Sequence, residues 1–298
     1  MDMKKLVFGS LNIDRTYQVP HFVKPGETMA ASRMDLFCGG KGFNQAIAFS
    51  RAGDRICFAG AVGEDGEVLV EAMKRDHICL DYLLHVPGTS GHAVIQVDQA
   101  GQNCIIILGG ANHAVTEDYV DKALSHFSAG DFIMLQNEIS NVPYILRRAK
   151  EKGMLVAFNP SPFNEEIGAC DLTLVDYLLI NEVEGAALAH TENEEEILTT
   201  LHRQYPKMRV VLTLGKRGVV YLDSDGQRVT HGVYDVPVVD TTAAGDTFTG
   251  YFLSEMLRSG DVIRAMELAS TASGLCVSRK GASASIPYRD EVTRACRS

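Results

Sequence analysis

The sequence predicts an α/β protein with a mostly parallel central sheet covered by helices on both faces and a small separate sheet over its edge. Two observations lead there. Short runs that are apolar on both faces alternate along the chain with helical runs, the pattern of a parallel sheet buried on both sides. Two segments, 12–37 and 89–109, break the rhythm with short strands joined by turns. The 298 residues suffice for one large core. No linker, repeat, low-complexity tract or charge run divides them, so 1–298 reads as a single domain.

"KKLVFGS" is a first strand stopping near Gly9. "NQAIAFSRAG" has helical apolar spacing and a terminal Gly53 stop signal. "RICFAGAVG" is a strand and "DGEVLVEAMKRDH" a helix. "VKPGET" and "DQAGQ" supply the turns of the two irregular segments. The alternation resumes with the strand "DFIMLQNE", the helix "VPYILRRAKEKG" and the strand "MLVAFNP". "DYLLINE" and "MRVVLTLG" are strands around the helical "EEEILTTLHRQYP". Two helices, 247–258 and 261–277, follow "VPVVD", which reads as a strand entering a small-residue turn.

Composition is that of a soluble globular chain, 46% hydrophobic and 22% charged. A net charge of −10 argues against nucleic acid as a partner, because phosphate backbones select basic surfaces. A local site can still oppose the global charge and take a small anion. Seven cysteines, an odd number without a CxxC, predict buried reduced thiols and a cytoplasmic setting. No run approaches the roughly 20 apolar residues of a membrane helix, and the N-terminal apolar run is too short for a signal peptide.

The chemistry concentrates in "DTTAAGDTFTG", 240–250. Small residues at a turn that opens a helix let a phosphate approach the backbone N–H groups and the positive helix end. Ala243, Ala244 and Gly245 would form that anion hole. An acid there is poorly placed to hold a phosphate and well placed to take a proton from an attacking hydroxyl. Asp246 is therefore the candidate general base of a phosphoryl transfer, with a plain helix N-cap as the bland alternative. "CGGKGFNQA" is a second Gly-rich turn opening a helix, with Lys41 and Asn44 suited to sugar hydroxyls. No Walker A, GxGxxG, HExxH or GxSxG occurs.

These two stretches resemble the paired signatures of the ribokinase-like (PfkB) carbohydrate kinases, and smaller matches run in order through the chain: "GSLNID", "PGET", "GGAN", "NPSP", "NEVE", "TLGKRG" and "RKGASASIP". The resemblance implies a three-layer α/β/α sandwich with the small sheet as a lid. It implies transfer of the ATP γ-phosphate to a sugar hydroxyl, with D-ribose to D-ribose 5-phosphate leading. Alternatives are a kinase for another pentose, a hexose or a nucleoside, and a non-catalytic sugar-binding regulator.

Residue by residue, the resemblance puts Asn12, Asp14, Gly40, Lys41, Gly42, Asn44 and Glu138 around the sugar with Asp246. Asn181, Thr213, Leu214, Gly215, Lys216, Arg217, Gly218 and Ser270 would face the nucleotide with Gly245. Glu184 would reach Mg²⁺ through water. Asp240, Thr242, Cys276, Arg279, Gly281 and Ser285 would hold K⁺, mostly by backbone carbonyls. Lid strands pairing between subunits imply a homodimer. Two positions depart from the pattern. Phe43 stands where alanine is common and would narrow the sugar pocket, and His92 replaces an apolar lid residue.

Overall fold

The computed structural model describes residues 3–297. In chain order the elements are β1 (Lys5–Phe8), β2 (Asn12–Gln18), β3 (Arg33–Gly39), α1 (Lys41–Arg51), β4 (Cys57–Val62), α2 (Glu67–Arg75), β5 (Cys79–His85), β6 (Gly91–Val97) and β7 (Asn103–Leu108). Then come α3 (Glu117–Leu124), β8 (Phe132–Gln136), α4 (Val142–Glu151), β9 (Leu155–Asn159), β10 (Tyr177–Asn181), α5 (Glu182–Ala189) and α6 (Glu194–Gln204). The chain finishes with β11 (Arg209–Thr213), β12 (Val219–Leu222), β13 (Arg228–His231), α7 (Ala244–Ser259), α8 (Val262–Val277) and α9 (Arg289–Ala295).

The large sheet has nine strands in the order β13-β12-β11-β10-β9-β8-β1-β4-β5. It is parallel from β11 through β5, and β12 and β13 add an antiparallel edge. Alternation along each strand feeds two cores. Val7, Phe132 and Met134 enter the core shared with α1, α2, α7 and α8. Leu6, Phe8, Ile133 and Leu135 enter the opposite core with α3, α4 and α6. This is the expected sheet covered on both faces. Every strand between the edges is apolar on both sides because both sides are covered.

The two irregular segments form the second sheet, in the order β3-β2-β6-β7. Its turns fall at Lys24–Glu27 and Asp98–Gly101, closed by N–H groups of Glu27 and Gly101. Strand β7 is exposed along its length, with Ile106 and Ile107 each 65% exposed, and β3 exposes Met34, Leu36 and Phe37.

Several expectations are corrected. Asn12 and Asp14 lie past the end of β1 and open β2 in the small sheet. Helix α1 begins at Lys41, three residues before the predicted start, because the turn glycines are part of its entry. "VPVVD" is not a strand. Residues 232–240 run outside both ladders, and the Val239 and Asp240 N–H groups both bond the Val277 carbonyl at the end of α8. All seven cysteines are free, but only Cys276 is buried; Cys104 lies exposed on β7 and the others are half-buried. Among the described residues no helix is long and apolar enough to cross a membrane.

Candidate active site

The site is assembled where α1 and α7 begin, beyond the carboxyl ends of the parallel strands, as expected for open α/β sheets. Gly40 precedes α1 with φ of 93°, a left-handed conformation that L side chains disfavour. At Gly42 an added Cβ would overlap the Gly9–Ser10 backbone. Those two glycines let the start of α1 press against the end of β1. The exposed N–H groups of its first turn then find partners across the contact. Lys41 N–H donates to Glu138 Oε2 at 2.8 Å, Gly42 N–H to Ser10 Oγ at 3.2 Å and Phe43 N–H to Ser10 O at 2.9 Å. Ser10 Oγ itself donates to Glu138 Oε2. Glu138 is thus a half-buried group two residues beyond β8, tied to both Ser10 and the start of α1. Burial pushes its carboxyl above the ordinary range and the Asp246 charge adds, against the Ser10 and Lys41 hydrogen bonds.

Asp246 lies in the first turn of α7 and is 8% exposed. It is not the N-cap: that residue is Ala243, held at φ 61° with no side-chain cap. Instead both carboxylate oxygens accept from α1. Asn44 Nδ2 reaches Oδ2 at 3.0 Å and Gln45 Nε2 reaches Oδ1 at 2.9 Å. Ala244 N–H bonds Thr241 O at 3.3 Å. The N–H groups of Gly245 and Asp246 have no backbone acceptor among the described residues. A Cβ at Gly245 would meet nothing within 4 Å. The helix start therefore opens onto a cleft of ≈ 230 Å³ lined by Lys41, Asn181, Glu184, Thr213, Gly245 and Asp246 among others. Unpaired N–H groups at an open helix N-terminus suit an anion.

The small sheet brings Asn12 and Asp14 beside Gly39 and Gly40 at the entry to α1, outside the cleft lining. Asn12 Oδ1 accepts from Asn112 Nδ2 at 2.8 Å, and Asn112 Oδ1 accepts from Leu11 N–H at 3.0 Å. That leaves the Asn12 amide N–H₂ as a donor. The Asp14 carboxyl is pushed up to about 6, by burial first and by the Glu138 charge second. In register, Asp14 shares its face with Phe37, Ala93 and Ile107, whereas Ile13 shares the other with His92. The departures noted in the sequence thus leave the Asp14 face of the small sheet alone. His92 faces away from Asp14 and its Nδ1 contacts Ser90 O. Phe43 is fully buried in the core against the sheet, so it does not narrow the pocket.

At the other end of the cleft Asn181 and Glu184 form a reciprocal capping box on α5. Glu184 N–H donates to Asn181 Oδ1 at 2.9 Å, and Asn181 N–H to Glu184 Oε2 at 3.0 Å. Glu184 is buried rather than solvated. Of Thr213, Leu214, Gly215, Lys216, Arg217 and Gly218, only Thr213 lines the cleft. The rest form the tight β11–β12 connection, closed by Leu214 N–H on Gly218 O at 2.8 Å. Ser270 is buried within α8, apart from the cleft lining.

The residues expected around a monovalent cation come together beside the α7 turn. Asp240 Oδ1 accepts from Thr242 N–H and Oγ1 at 2.9 and 2.6 Å, and Oδ2 accepts from Gly281 N–H at 3.0 Å. Burial opposes the charge on Asp240, but these bonds and the Lys280 charge outweigh it and hold the carboxyl below its usual range. The Cys276 thiol is taken up by Ser285 Oγ at 3.0 Å and Thr242 O at 3.7 Å. The Arg279 guanidinium turns away to Glu291. What the loop offers is hard carboxylate and carbonyl oxygen, which fits a large monovalent cation. For a divalent ion, no group of three or more His, Cys, Asp or Glu gathers among the described residues. Glu184 is a buried carboxylate in the cleft lining, and it fits contact with such an ion through water. The loop also touches the small sheet: Ser283 Oγ donates to Cys38 O at 3.2 Å.

Sequence reasoning missed Ser10, Gln45, Asn112, Gln136 and Asn159. Asn159 lies in "NPSP" and Asn112 in "GGAN", so those motifs were the available signal. Gln45 and Gln136 stand among apolar neighbours, where only the fold shows what they bond.

The sequence pattern of pfkB family carbohydrate kinases matches residues 3–289. The ribokinase of Haemophilus influenzae is 32% identical over 298 residues, covering 96% of this chain and 95% of that protein. The ribokinase of Staphylococcus aureus is 34% identical over 306 residues, covering 99% and 100%. The structure of Arabidopsis thaliana ribokinase complexed with ribose and ATP superposes with a TM-score of 0.87 at 30% identity, over 100% of both chains. With an acid held at an open helix N-terminus and the family pattern spanning nearly its whole length, the chain belongs to the pfkB family of carbohydrate kinases.

Proposed function

We propose that this kinase transfers the γ-phosphate of ATP to a hydroxyl of D-ribose, giving D-ribose 5-phosphate and ADP. The observation that carries the reading is Asp246: a buried carboxylate with both oxygens engaged as acceptors, one residue after an N–H group open to the cleft. The attacking sugar hydroxyl gives its proton to Asp246 as its oxygen bonds to the γ-phosphorus and the bond to the ADP oxygen breaks. The N–H groups at the start of α7 hold the charge developing on the transferred phosphoryl. Asn12, Asp14, Asn44 and Glu138, with Lys41 and the glycine turn at Gly40 and Gly42, orient the sugar. The ribose–ATP complex of the Arabidopsis relative supports that choice of substrates.

Asn181 and Thr213 border the phosphate end. Mg²⁺, reached by Glu184 through water, would neutralise phosphate charge. K⁺ at the Asp240–Gly281 loop would stiffen the anion-hole turn. The four-stranded sheet acts as a lid on the single kinase domain, excluding water from the reacting groups. Its exposed apolar strands β3 and β7 fit pairing with a second copy. Seven free thiols fit a reducing, cytoplasmic setting.

A coupled ADP-release assay across a sugar panel tests the reading. Ribose should give the highest kcat/KM. A different preferred sugar moves the substrate only. No ADP release with any sugar would leave a binding protein on a kinase fold.

A further inference from the structure

Building on the general-base reading of Asp246, we infer that Gln45 is a positioning residue for the transfer: its side-chain amide, itself held by Gln136, sets the orientation of the Asp246 carboxylate.

The residue lies on the first turns of α1 at 0% exposure, among the core residues Phe43, Ala46 and Ile47. An amide there is unfavourable unless its polar atoms are paired. They are. Nε2 donates to Asp246 Oδ1 at 2.9 Å and to Asn159 Oδ1 at 3.3 Å, and Oε1 accepts from Gln136 Nε2 at 2.6 Å. Asn159 is anchored in turn by its Nδ2 on Leu179 O at 2.8 Å. Because the Asp246 carboxylate only accepts, the amino end of Gln45 must point at it, which leaves Oε1 to accept from Gln136. The reversed amide would set an oxygen against Asp246 and an amino group against another amino group. Gln136 is also fully buried, and Gly9 leaves it room: an added Cβ there would overlap its Oε1.

Asn44 and Gln45 are consecutive, yet their tasks differ. Asn44 holds one carboxylate oxygen, Oδ2, and a carboxylate held through one oxygen can turn about its own bond. Gln45 holds Oδ1 from a second direction, and together the two donors define the carboxylate plane. Gln45 has no exposure and does not line the cleft. Any effect it has on the reaction must therefore pass through the groups it holds, Asp246 first and Asn159 by the longer bond, rather than through substrate contact. Asn44 is absent from that lining too, so the two are told apart by the split between kcat and KM.

The test uses the full chain. Gln45→Met keeps approximate volume and removes both polar ends. Its kcat should fall about 10- to 100-fold, the range for losing a hydrogen bond to a charged group. The KM values for sugar and ATP should stay within ~3-fold, the mark of an interaction used in the transition state only. Gln136→Met should lower kcat less, and the double variant should be no worse than Gln45→Met alone, since one acts through the other. In an Asp246→Asn background, Gln45→Met should cost no further turnover. A folded Gln45→Met with normal kcat, a raised sugar KM at unchanged kcat, or an undiminished loss in the Asp246→Asn background would overturn the inference. If Gln45→Met does not fold, Gln136→Met decides by the same split between kcat and KM. Near-normal turnover in Asp246→Asn is a separate failure, of the general-base reading itself.

Discussion

Asn44 and Asp246 stand 202 residues apart in the chain and meet through a 3.0 Å hydrogen bond between two helix beginnings. One residue comes from the glycine turn that opens α1, the other from the small-residue turn that opens α7. The bond joins the two helix beginnings, so the group proposed to take the sugar proton is held by a group proposed to bind the sugar.

Asp246→Asn keeps the size of the side chain and cannot accept the proton. Turnover should fall about 10²–10⁴-fold, with the thermal melt and ATP affinity little changed. Near-normal kcat in the purified variant would remove the base assignment.

Asp14 links sugar binding to stability. Its carboxyl is pushed up to about 6 in the folded chain from 3.8. Between those values the folded state binds more protons than the unfolded state, so stability falls as pH rises through the window. Above pH 6 the ionised group destabilises the folded protein by up to roughly 3 kcal/mol, because each pH unit between the two values is worth about 1.4 kcal/mol. Asp14→Asn should therefore raise the melting temperature at pH 7–8 and leave it little changed near pH 4, while lowering kcat/KM for the sugar. Melting curves for both proteins across pH check this. An equal gain at pH 4 and pH 8 would show that the carboxyl is not the cause.

K⁺ should raise activity over Na⁺ or choline at equal ionic strength, since Asp240, Thr242 and Gly281 tie the cation loop to the turn before α7. Equal rates in the three salts, with no retained K⁺ in elemental analysis, would dismiss the cation.

Asn12 tests the identity of the sugar. Asn112 holds its oxygen, leaving the amide N–H₂ as donor. A site built for a hydroxyl rejects an analogue lacking it by roughly 1–3 kcal/mol, or about 5- to 150-fold in kcat/KM. 2-Deoxyribose should be that much poorer than ribose, and Asn12→Ala should shrink the gap. Equal use of both sugars by the unmutated protein would refute tuning to ribose and leave the kinase standing.

The lid surface predicts association. Ile106, 65% exposed on β7, replaced by lysine should shift the protein towards monomer in light scattering, if copies pair through this sheet. An unchanged mass would place any interface elsewhere.

The sequence by itself determined the layered α/β architecture, because strand and helix periodicity are local consequences of burying both faces of one sheet. It also singled out "GGKGFN" and "DTTAAGD" as the candidate site, because turns that let an anion approach backbone must be built of small residues, and the fold brings the two together. Short range could not supply partners. Asp246 can be read as a base or as a plain N-cap until α1 is laid beside α7 and takes both its oxygens. "VPVVD" reads as a strand until α8 claims its N–H groups instead of a ladder. Phe43 reads as a pocket wall until the register of α1 turns it into the core. Gln45 and Gln136 read as stray polar residues among apolar ones. Hydrogen bonds form between atoms about 3 Å apart in space whatever their separation in the chain, so the orientation of the candidate base was decided only when distant segments met.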